Sequence, residues 1–351
     1  MIKFPRRDFL KASGAVGAAG LLSAFPNGAF AQNKPDRITV TSYGGVWETA
    51  IRDYFVADFK KRTGVDADVQ LGNPNQWISQ VKASPNKPPL DAVVATAELI
   101  IEAGRAGLVD KIDGAKLSNL KDVDKRFVDI CEGWGVCFDY GAGGFGFHKG
   151  RVKNPPKSFV EFVDRTAKGE WTASMMTPNW NPATIFVIWA LNDVYGGKLD
   201  DISPALDAIK RMKKNCIFWG SVTDFLTHLS SGEADIGIYP DGRVWAYYDT
   251  GAHWIDFINP SEGGAMIPVA IMKPKNAPDI AWEYINSMLA VEPQAKFAEK
   301  MNYGVTNNKV VYSDKVKPRI TPWEKTRFPP IAEIGPHLSN WIERWNKEIG
   351  V

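Results

Sequence analysis

An arginine placed directly after a predicted strand is the residue best suited to bind a charged small molecule. The segment reads Tyr239-Pro240-Asp241-Gly242-Arg243 and follows an apolar run. A guanidinium holds a carboxylate through two parallel hydrogen bonds, and ligands of open α/β sheets bind beyond the carboxyl ends of the strands. Two other roles for Arg243 stay open, a local salt bridge with Asp241 or a solvated charge in a loop.

The other candidate ligand-binding residues also follow predicted strands. Backbone N–H groups of Tyr43-Gly44-Gly45, where a helix is predicted to begin, suit an anion, and Thr96 offers a hydroxyl group. Aromatic walls with a few polar groups are typical of small-molecule clefts. Because the chain has 13 Trp, core packing is the competing role for each aromatic side chain. The candidates in the second half of the chain are Asn179, Trp180, Trp219, Ser221, Tyr239, Asp241, Arg243 and Met266.

Residues for catalysis or metal binding form no recognisable pattern. The histidines are His148, His228, His253 and His337. None lies in a His-Glu-x-x-His run, and no Gly-x-Ser-x-Gly turn occurs, so a secreted hydrolase is the less favoured alternative. Tyr247 and Tyr248 are adjacent, as in some iron sites, but neighbouring side chains on a helix diverge by about 100°. We therefore expect no metal and no cofactor.

The N-terminus has the layout of a secretory signal. Arg6-Arg7-Asp8-Phe9-Leu10-Lys11 matches the twin-arginine pattern, although Pro5 stands where that pattern usually has Ser or Thr. An apolar run rich in Gly and Ala follows, and Ala29-Phe30-Ala31 is a small-x-small cleavage site. We predict that residues 1–31 are a signal peptide removed on export to the periplasm, by the twin-arginine or the general secretory route.

The length and charge of the remaining chain favour a nearly neutral protein with two lobes. Removal of the signal would leave about 320 residues, more than one simple core usually holds. The chain has 42 Lys and Arg against 40 Asp and Glu, and the signal contains four of the basic and one of the acidic residues. No charge run remains, which argues against nucleic acid and anionic membranes as partners.

The chain contains three cysteines, Cys131, Cys137 and Cys216. An oxidising periplasm permits a disulfide between Cys131 and Cys137, since a tight hairpin would close that spacing. Two buried thiols are the alternative, and both stay open. The spacings match no zinc pattern.

Predicted strands and helices alternate along most of the mature chain. Ile38 to Tyr43 alternates polar and apolar residues as a strand does, and residues 47–62 have helical spacing. The β-α-β-α-β-α order up to Ala106 predicts a largely parallel sheet covered by helices. Two extended segments, Phe127 to Cys131 and the Gly-rich Gly135 to Lys149, interrupt this order before a second α/β block begins.

Two α/β blocks joined by Gly-rich segments predict an α/β clamp with a hinge, because a few residues between lobes absorb the rotation of closure. The predicted crossings lie near residues 145–149 and 261–266. Residues 32–147 and 266–310 would form lobe 1, and residues 148–265 lobe 2. Residues 311–351 would be a C-terminal helical segment that packs on the lobes.

Six segments occur in order along the mature chain: Thr41-Ser42-Tyr43-Gly44-Gly45, Leu90-Asp91-Ala92-Val93-Val94 with Thr96, Phe145-Gly146-Phe147, Ser231-Gly232-Glu233-Ala234-Asp235-Ile236, Pro260-Ser261-Glu262-Gly263-Gly264 and Ala281-Trp282-Glu283-Tyr284-Ile285-Asn286. Taken together they resemble the family-1 extracellular solute-binding proteins, in the branch that includes polyamine-binding receptors, and the resemblance covers nearly all of the mature chain. It implies a type II periplasmic-binding fold, a two-lobed Venus-flytrap clamp, with a ligand held between the lobes. It also implies delivery to the permease and ATPase of an ABC importer, by a protein that is no enzyme and that we expect to be monomeric.

The same resemblance bears on the ligand, because this chain departs from the polyamine binders. Ala265-Met266-Ile267 stands where those binders have a Trp and an Asp, and Pro178-Asn179-Trp180-Asn181 where they have carboxylates. A dication would lack counter-charges in a buried cleft, which is costly. The sequence therefore favours a small carboxylate or a zwitterion, with polyamines (spermidine or putrescine) and thiamine as alternatives.

Overall fold

Most of the predicted strands are strands in the structure, a computed structural model that describes residues 35–178, 182–221 and 223–351. The predicted signal peptide and the candidates Asn179 and Trp180 lie outside these described residues. The strands are β1 (Arg37–Ser42), β2 (Asp66–Leu71), β3 (Val93–Ala95), β4 (Val136–His148), β5 (Ala173–Met176), β6 (Cys216–Trp219), β7 (Ile236–Pro240), β8 (Ile255–Ile258), β9 (Ala265–Met272) and β10 (Gly304–Val305).

The parallel order predicted for the first strands is confirmed for β1 and β2, which lie beside a central sheet that is mixed. Its strand order is β3-β9-β4-β7-β5-β6, and the parallel pair β1–β2 lies beside it through a bridge between Val40 and Ala92. Strand β5 is parallel to β6 and β7, but β4 and β9 are antiparallel to each other and to their other neighbours. The cause is the returning segment that forms β9, which enters between β3 and β4 in the opposite direction.

The Gly-rich segment predicted as a crossing is one long strand, β4. Its first part pairs with β9, and its last residues pair with β7 on one side and β8 on the other. The register shifts between Cys137 and Asp139, which makes Phe138 the extra residue of a β-bulge. Such bulges redirect side chains and are frequent beside functional sites.

Helices α3 and α6 begin at residues whose side chains cap them. Asn73 accepts the Gln76 N–H at the start of α3, and Ser158 accepts the Glu161 N–H at the start of α6. A π-helical segment, Ile51–Val56, joins α1 to α2. The helices are α1 (Val46–Ala50), α2 (Ala57–Thr63), α3 (Pro74–Ala83), α4 (Ala97–Arg105), α5 (Arg126–Asp129), α6 (Phe159–Ala167), α7 (Pro182–Val194), α8 (Ser203–Met212), α9 (Asp224–Ser231), α10 (Asp241–Tyr248), α11 (Ala281–Met288), α12 (Val291–Met301), α13 (Ile331–Ile334) and α14 (Leu338–Glu348).

The segment from Phe127 to Cys131, predicted as extended, is mostly helical and forms α5. The Asp124 carboxylate accepts the Arg126 N–H at 3.0 Å, and Lys125 pairs with Asp129 one turn later. Both interactions favour a helical turn over a strand. A short apolar run does not reveal this choice by its own periodicity.

The C-terminal residues contact elements from both predicted lobes. Helix α13 packs against α4, the Trp341 indole N–H donates to the Leu199 carbonyl at 3.0 Å, and the Trp345 ring packs edge-on against Phe218. Residues 35–351 form one compact unit, and the division into lobes stays a prediction. Among the described residues no helix has the length and apolar character needed to cross a membrane.

Candidate functional site

A cavity of about 520 Å³ lies where β1, β2, β3 and β7 end and the helices after them begin. At its rim Gly45 has a φ of 72°, a left-handed conformation that favours glycine and turns the chain from β1 into α1. The cavity is therefore at the strand ends, where the sequence placed the ligand. Its lining residues are Tyr43, Trp47, Asn73, Pro74, Asn75, Thr96, Leu99, Phe186, Pro240, Arg243, Ile267, Pro268, Val269 and Tyr303.

Arg243 lines this cavity from the first turn of α10, with a half-buried side chain. Its guanidinium forms no hydrogen bond and no ion pair with any residue that the structure describes. The local salt bridge with Asp241 is therefore not formed. A partly desolvated guanidinium facing a cavity is suited to a carboxylate or another planar anion.

Asp241 is turned away from the cavity and supports the backbone instead. Its Oδ1 accepts the N–H groups of Ala142 at 3.0 Å and Gly242 at 2.7 Å, and its Oδ2 accepts the Thr321 hydroxyl at 3.1 Å. The side chain is 2% exposed, and burial raises the pKa of this carboxyl to about 7 in spite of those hydrogen bonds. Asp241 thus joins β4, α10 and the C-terminal segment and does not line the cavity.

Three aromatic rings form one wall of the cavity. The rings of Tyr43 and Trp47 lie 5.3 Å apart and meet edge to face, and Tyr303 lies 6.2 Å from Trp47. Gly141 makes room for Tyr303, since a Cβ there would come 2.8 Å from the ring. Burial, aided by nearby carboxyl groups, raises the pKa of both tyrosines, so their hydroxyls remain neutral hydrogen-bond donors.

Two buried carboxyl groups accompany this wall. The Thr96 hydroxyl donates to Glu98 Oε1 at 2.6 Å, while Glu98 Oε2 is buried without a hydrogen-bond partner among the described residues. Asp139, in the first part of β4, is 0% exposed, and neither of its oxygens has a partner there either. Burial raises the pKa of both carboxyls, that of Asp139 most strongly.

The remaining candidates lie outside the cavity lining. Trp219 and Tyr239 are buried in a second hydrophobic cluster, where Tyr239 stacks on Phe225 with ring centroids 4.1 Å apart. Met266 is buried in β9, and the exposed Ser221 donates its backbone N–H to Asp224. Gly44 and Gly45 are exposed next to Tyr43.

Sequence reasoning missed several lining residues that had a detectable signal. Asn73-Pro74-Asn75 follows β2 and starts α3, the same position after a strand that identified Thr96. Phe186 and Tyr303 had no such signal, because one lies inside an apolar helix and the other follows the end of α12.

A larger cavity of about 600 Å³ lies elsewhere, along residues 259–263 and 318–326. Its arginine, Arg319, already pairs with Asp249 at 2.9 Å and packs over the Trp245 ring at 5.3 Å. A cation that is already paired with a carboxylate of the protein attracts an anionic ligand less strongly. The cavity beside Arg243 is therefore the better candidate site.

Cys131 and Cys137 are buried free thiols, and Cys216 is a half-buried free thiol. The disulfide left open by the sequence is thus absent from the structure. No group of three or more His, Cys, Asp or Glu side chains arranged for a metal occurs in the described part of the chain.

The fold and the site together define a class of protein. A cavity at strand ends, walled by aromatic rings and containing one unpaired guanidinium, is typical of a protein that binds a small polar molecule. The chain belongs to the family of bacterial extracellular solute-binding proteins, whose model matches residues 55–322. A twin-arginine translocation signal matches residues 3–23.

Individual relatives agree with this family. The chain is 23% identical over 299 residues, 83% of each protein, to the spermidine/putrescine-binding periplasmic protein of Escherichia coli (strain K12). A structure assigned to an extracellular solute-binding protein from Bordetella parapertussis is 28% identical, with a TM-score of 0.82 over 90% of this chain and 99% of that chain. The Atu4243-GABA receptor is 21% identical, with a TM-score of 0.74 over 88% of this chain and 96% of that chain.

The protein is therefore a periplasmic solute-binding protein of an ABC transporter, exported by its signal sequence. The expected periplasmic-binding fold is confirmed by the solved structures, and the family confirms binding rather than catalysis as the activity.

Proposed function

We propose that the protein captures a small organic solute with a carboxylate group, a simple carboxylate or a zwitterion, in the cavity beside Arg243 and delivers it to the permease. The observation that carries this proposal is the Arg243 guanidinium, which lines the cavity without a hydrogen bond or ion pair to any described residue. A charged hydrogen bond between guanidinium and carboxylate in such a partly desolvated place is short and directional.

The rest of the cavity suits a small solute with an apolar body. Its volume of about 520 Å³ lies within the range of small-molecule sites, and Leu99, Phe186 and Ile267 supply apolar walls. The lining residues come from both predicted lobes, with Phe186, Pro240 and Arg243 from lobe 2 and the others from lobe 1. A solute that touches both groups would favour the closed form of the clamp.

A polyamine is the second candidate, because the Escherichia coli relative is named for spermidine and putrescine. An ammonium group would be repelled by the free guanidinium of Arg243, and that repulsion favours a carboxylate-containing solute. The name of the GABA receptor gives further support, since GABA is an amino acid with a carboxylate at one end.

A thermal-shift screen over amino acids, simple carboxylates, dicarboxylates, polyamines and thiamine tests this proposal. A ligand at about a hundred times its Kd stabilises by about 2.7 kcal/mol, a shift in Tm on the order of 5 °C. We expect a carboxylate or a zwitterion to give that shift and spermidine at millimolar concentration to give none.

The Arg243→Ala variant connects the result to the site. Removing one partner of a desolvated charge pair costs about 2 kcal/mol or more, so we expect at least about a 30-fold loss of affinity by calorimetry. Arg243→Lys should restore only part of it, because Lys lacks the planar fork. Arg105→Ala is the matched control, since Arg105 is exposed and pairs with Glu132 outside the cavity. A shift of several degrees with spermidine that persists in Arg243→Ala would overturn the proposal.

A further inference from the structure

Asp139 is a carboxyl group in an unusual environment. It is 0% exposed, and neither of its oxygens has a hydrogen-bond partner among the described residues. Native proteins pair nearly all buried polar groups, because an unpaired one costs free energy. Asp241, on the neighbouring α10, shows the usual case, with three hydrogen bonds to one carboxyl.

The strand register shows on which side the Asp139 side chain lies. Asp139 is directly opposite Val269 in the antiparallel pair of β4 and β9, and opposed residues project to the same face of a sheet. Val269 lines the cavity. Gly141, two residues further along the same face, is covered by the Tyr303 ring of the cavity wall. The carboxyl of Asp139 therefore lies on the cavity side of the sheet, beneath the aromatic wall.

The acidic and basic groups around the cavity are separated. Asp139 and Glu98, each with an oxygen that has no partner among the described residues, belong to predicted lobe 1, and, in addition to burial, both raise the pKa of Tyr43. Arg243 belongs to predicted lobe 2. A ligand with opposite charges at its two ends would match this arrangement, and the faces of Tyr43 and Tyr303 would attract its cationic end.

We propose that the carboxyl group of Asp139, beneath the wall formed by Tyr43 and Tyr303, attracts the positively charged end of the ligand, so that the cavity takes a zwitterion, with its ammonium group at that wall and its carboxylate at Arg243. The inference rests on the proposed function for the role of Arg243. Burial raises the pKa of the Asp139 carboxyl, and a nearby ammonium group lowers it again, so binding of such a ligand favours release of the Asp139 proton to solvent.

Proton release gives a measurement on the unmodified protein. Calorimetric titration near neutral pH in two buffers of different ionisation enthalpy counts the protons released on binding. The probes are 4-aminobutanoate and 5-aminopentanoate, with butanoate and pentanoate as the matched ligands that lack nitrogen. We expect about one proton to be released with each amino acid and none with the simple carboxylates. Near Asp139, the groups Tyr43, Tyr303 and Cys137 keep their protons at neutral pH, because burial raises their pKa values. Asp241 also interacts with Tyr303, and burial raises its pKa to about 7, so Asp241→Asn is the control that must retain the proton release.

Two substitutions identify the carboxyl group that releases the proton when the ligand binds. Asp139→Asn, of nearly equal size, should weaken binding of the amino acids at least tenfold, abolish proton release and leave butanoate binding within about twofold. Glu98→Gln should retain proton release, because Glu98 is only the neighbouring carboxyl. The Tm of Asp139→Asn without ligand should not fall, since no hydrogen bond is lost, whereas a structural role would lower it.

The outcomes separate this inference from the function on which it rests. If pentanoate binds as tightly as 5-aminopentanoate, and Arg243→Ala abolishes both, Arg243 has the proposed role and the inference on Asp139 is wrong. The inference also fails if proton release disappears in Glu98→Gln and persists in Asp139→Asn. It fails as well if neither amino acid binds. If Arg243→Ala leaves the affinity for the probes unchanged, the proposed function itself is wrong.

Discussion

Asp241 and Arg243 lie two residues apart in α10 and have different environments. The carboxyl of Asp241 is buried and accepts three hydrogen bonds, while the guanidinium of Arg243 lines a cavity without a partner in the described part of the chain. Both residues follow β7, and both were predicted to bind ligand from that position. The structure separates them because the first residue of the helix faces β4 and the third faces the cavity.

At the residue scale we predict that Asp241 stabilises the fold. Asp241→Ala leaves the N–H groups of Ala142 and Gly242 without their acceptor, and each buried unpaired group costs about 1–3 kcal/mol. We expect the free energy of unfolding, measured in urea without ligand, to fall by roughly 3 kcal/mol. Asp241→Asn keeps Oδ1 as an acceptor and should lose less.

The pH dependence of this stability has a defined sign. The folded pKa of Asp241, about 7, lies above the usual value of 3.8, because burial disfavours the charge. Its contribution to stability is therefore complete below about pH 4 and is lost as the pH rises through 7. The difference in unfolding free energy between the protein and Asp241→Asn should change in that window. A difference that is constant from pH 4 to pH 8 would contradict the role of burial.

Side-chain roles could be predicted where they depend on position after a strand. Tyr43, Thr96 and Arg243 were found in this way and lie at the cavity. The same rule also selected Trp219 and Tyr239, which pack in a second cluster, because strand position does not determine which face a large ring covers. Asp139 gave no signal at all, since its isolation depends on groups that are distant in sequence.

At the scale of elements, local chemistry determined the helices better than the sheet. Helices α3 and α6 begin at capping residues that are visible in the sequence. The apolar faces of both helices are visible there too. The antiparallel pairing of β4 with β9 joins residues more than a hundred positions apart, and no local pattern encodes it. The bulge at Phe138 is likewise a consequence of that pairing.

Cys131 lies in the turn after α5 and Cys137 lies in β4, and we predict that both are unreactive thiols in the folded protein. Burial and the neighbouring Cys131 raise the pKa of the Cys137 thiol, so the reactive thiolate is scarce. Alkylation of periplasmic protein, followed by mass spectrometry, should modify all three cysteines after unfolding and neither Cys131 nor Cys137 before it. A mass lower by two hydrogen atoms, with two cysteines protected after unfolding, would show a Cys131–Cys137 disulfide instead.

At the scale of the whole molecule, the cavity is where the two predicted lobes meet. Strand β4 carries the chain from one to the other, β9 returns it, and α13 and α14 contact elements of both. Because lining residues stand on each side of these crossings, we predict that ligand binding and lobe closure are one process. A ligand shifts such an equilibrium only by its difference in affinity for the two forms, so contacts with both lobes are required.

Lobe closure predicts a change of overall size when ligand binds. With the ligand identified by thermal shift at saturating concentration, small-angle X-ray scattering should show a smaller radius of gyration than without it, because the lobes rotate toward each other about β4 and β9. Arg243→Ala lacks the main contact from predicted lobe 2, so at a ligand concentration of about ten times the unmodified protein's Kd its radius should stay closer to the unliganded value. Arg105→Ala, whose change lies outside the cavity, should close like the unmodified protein. An unchanged radius for unmodified protein that calorimetry shows to be saturated would mean that residues 35–351 bind as one rigid body, and the division into lobes would be wrong.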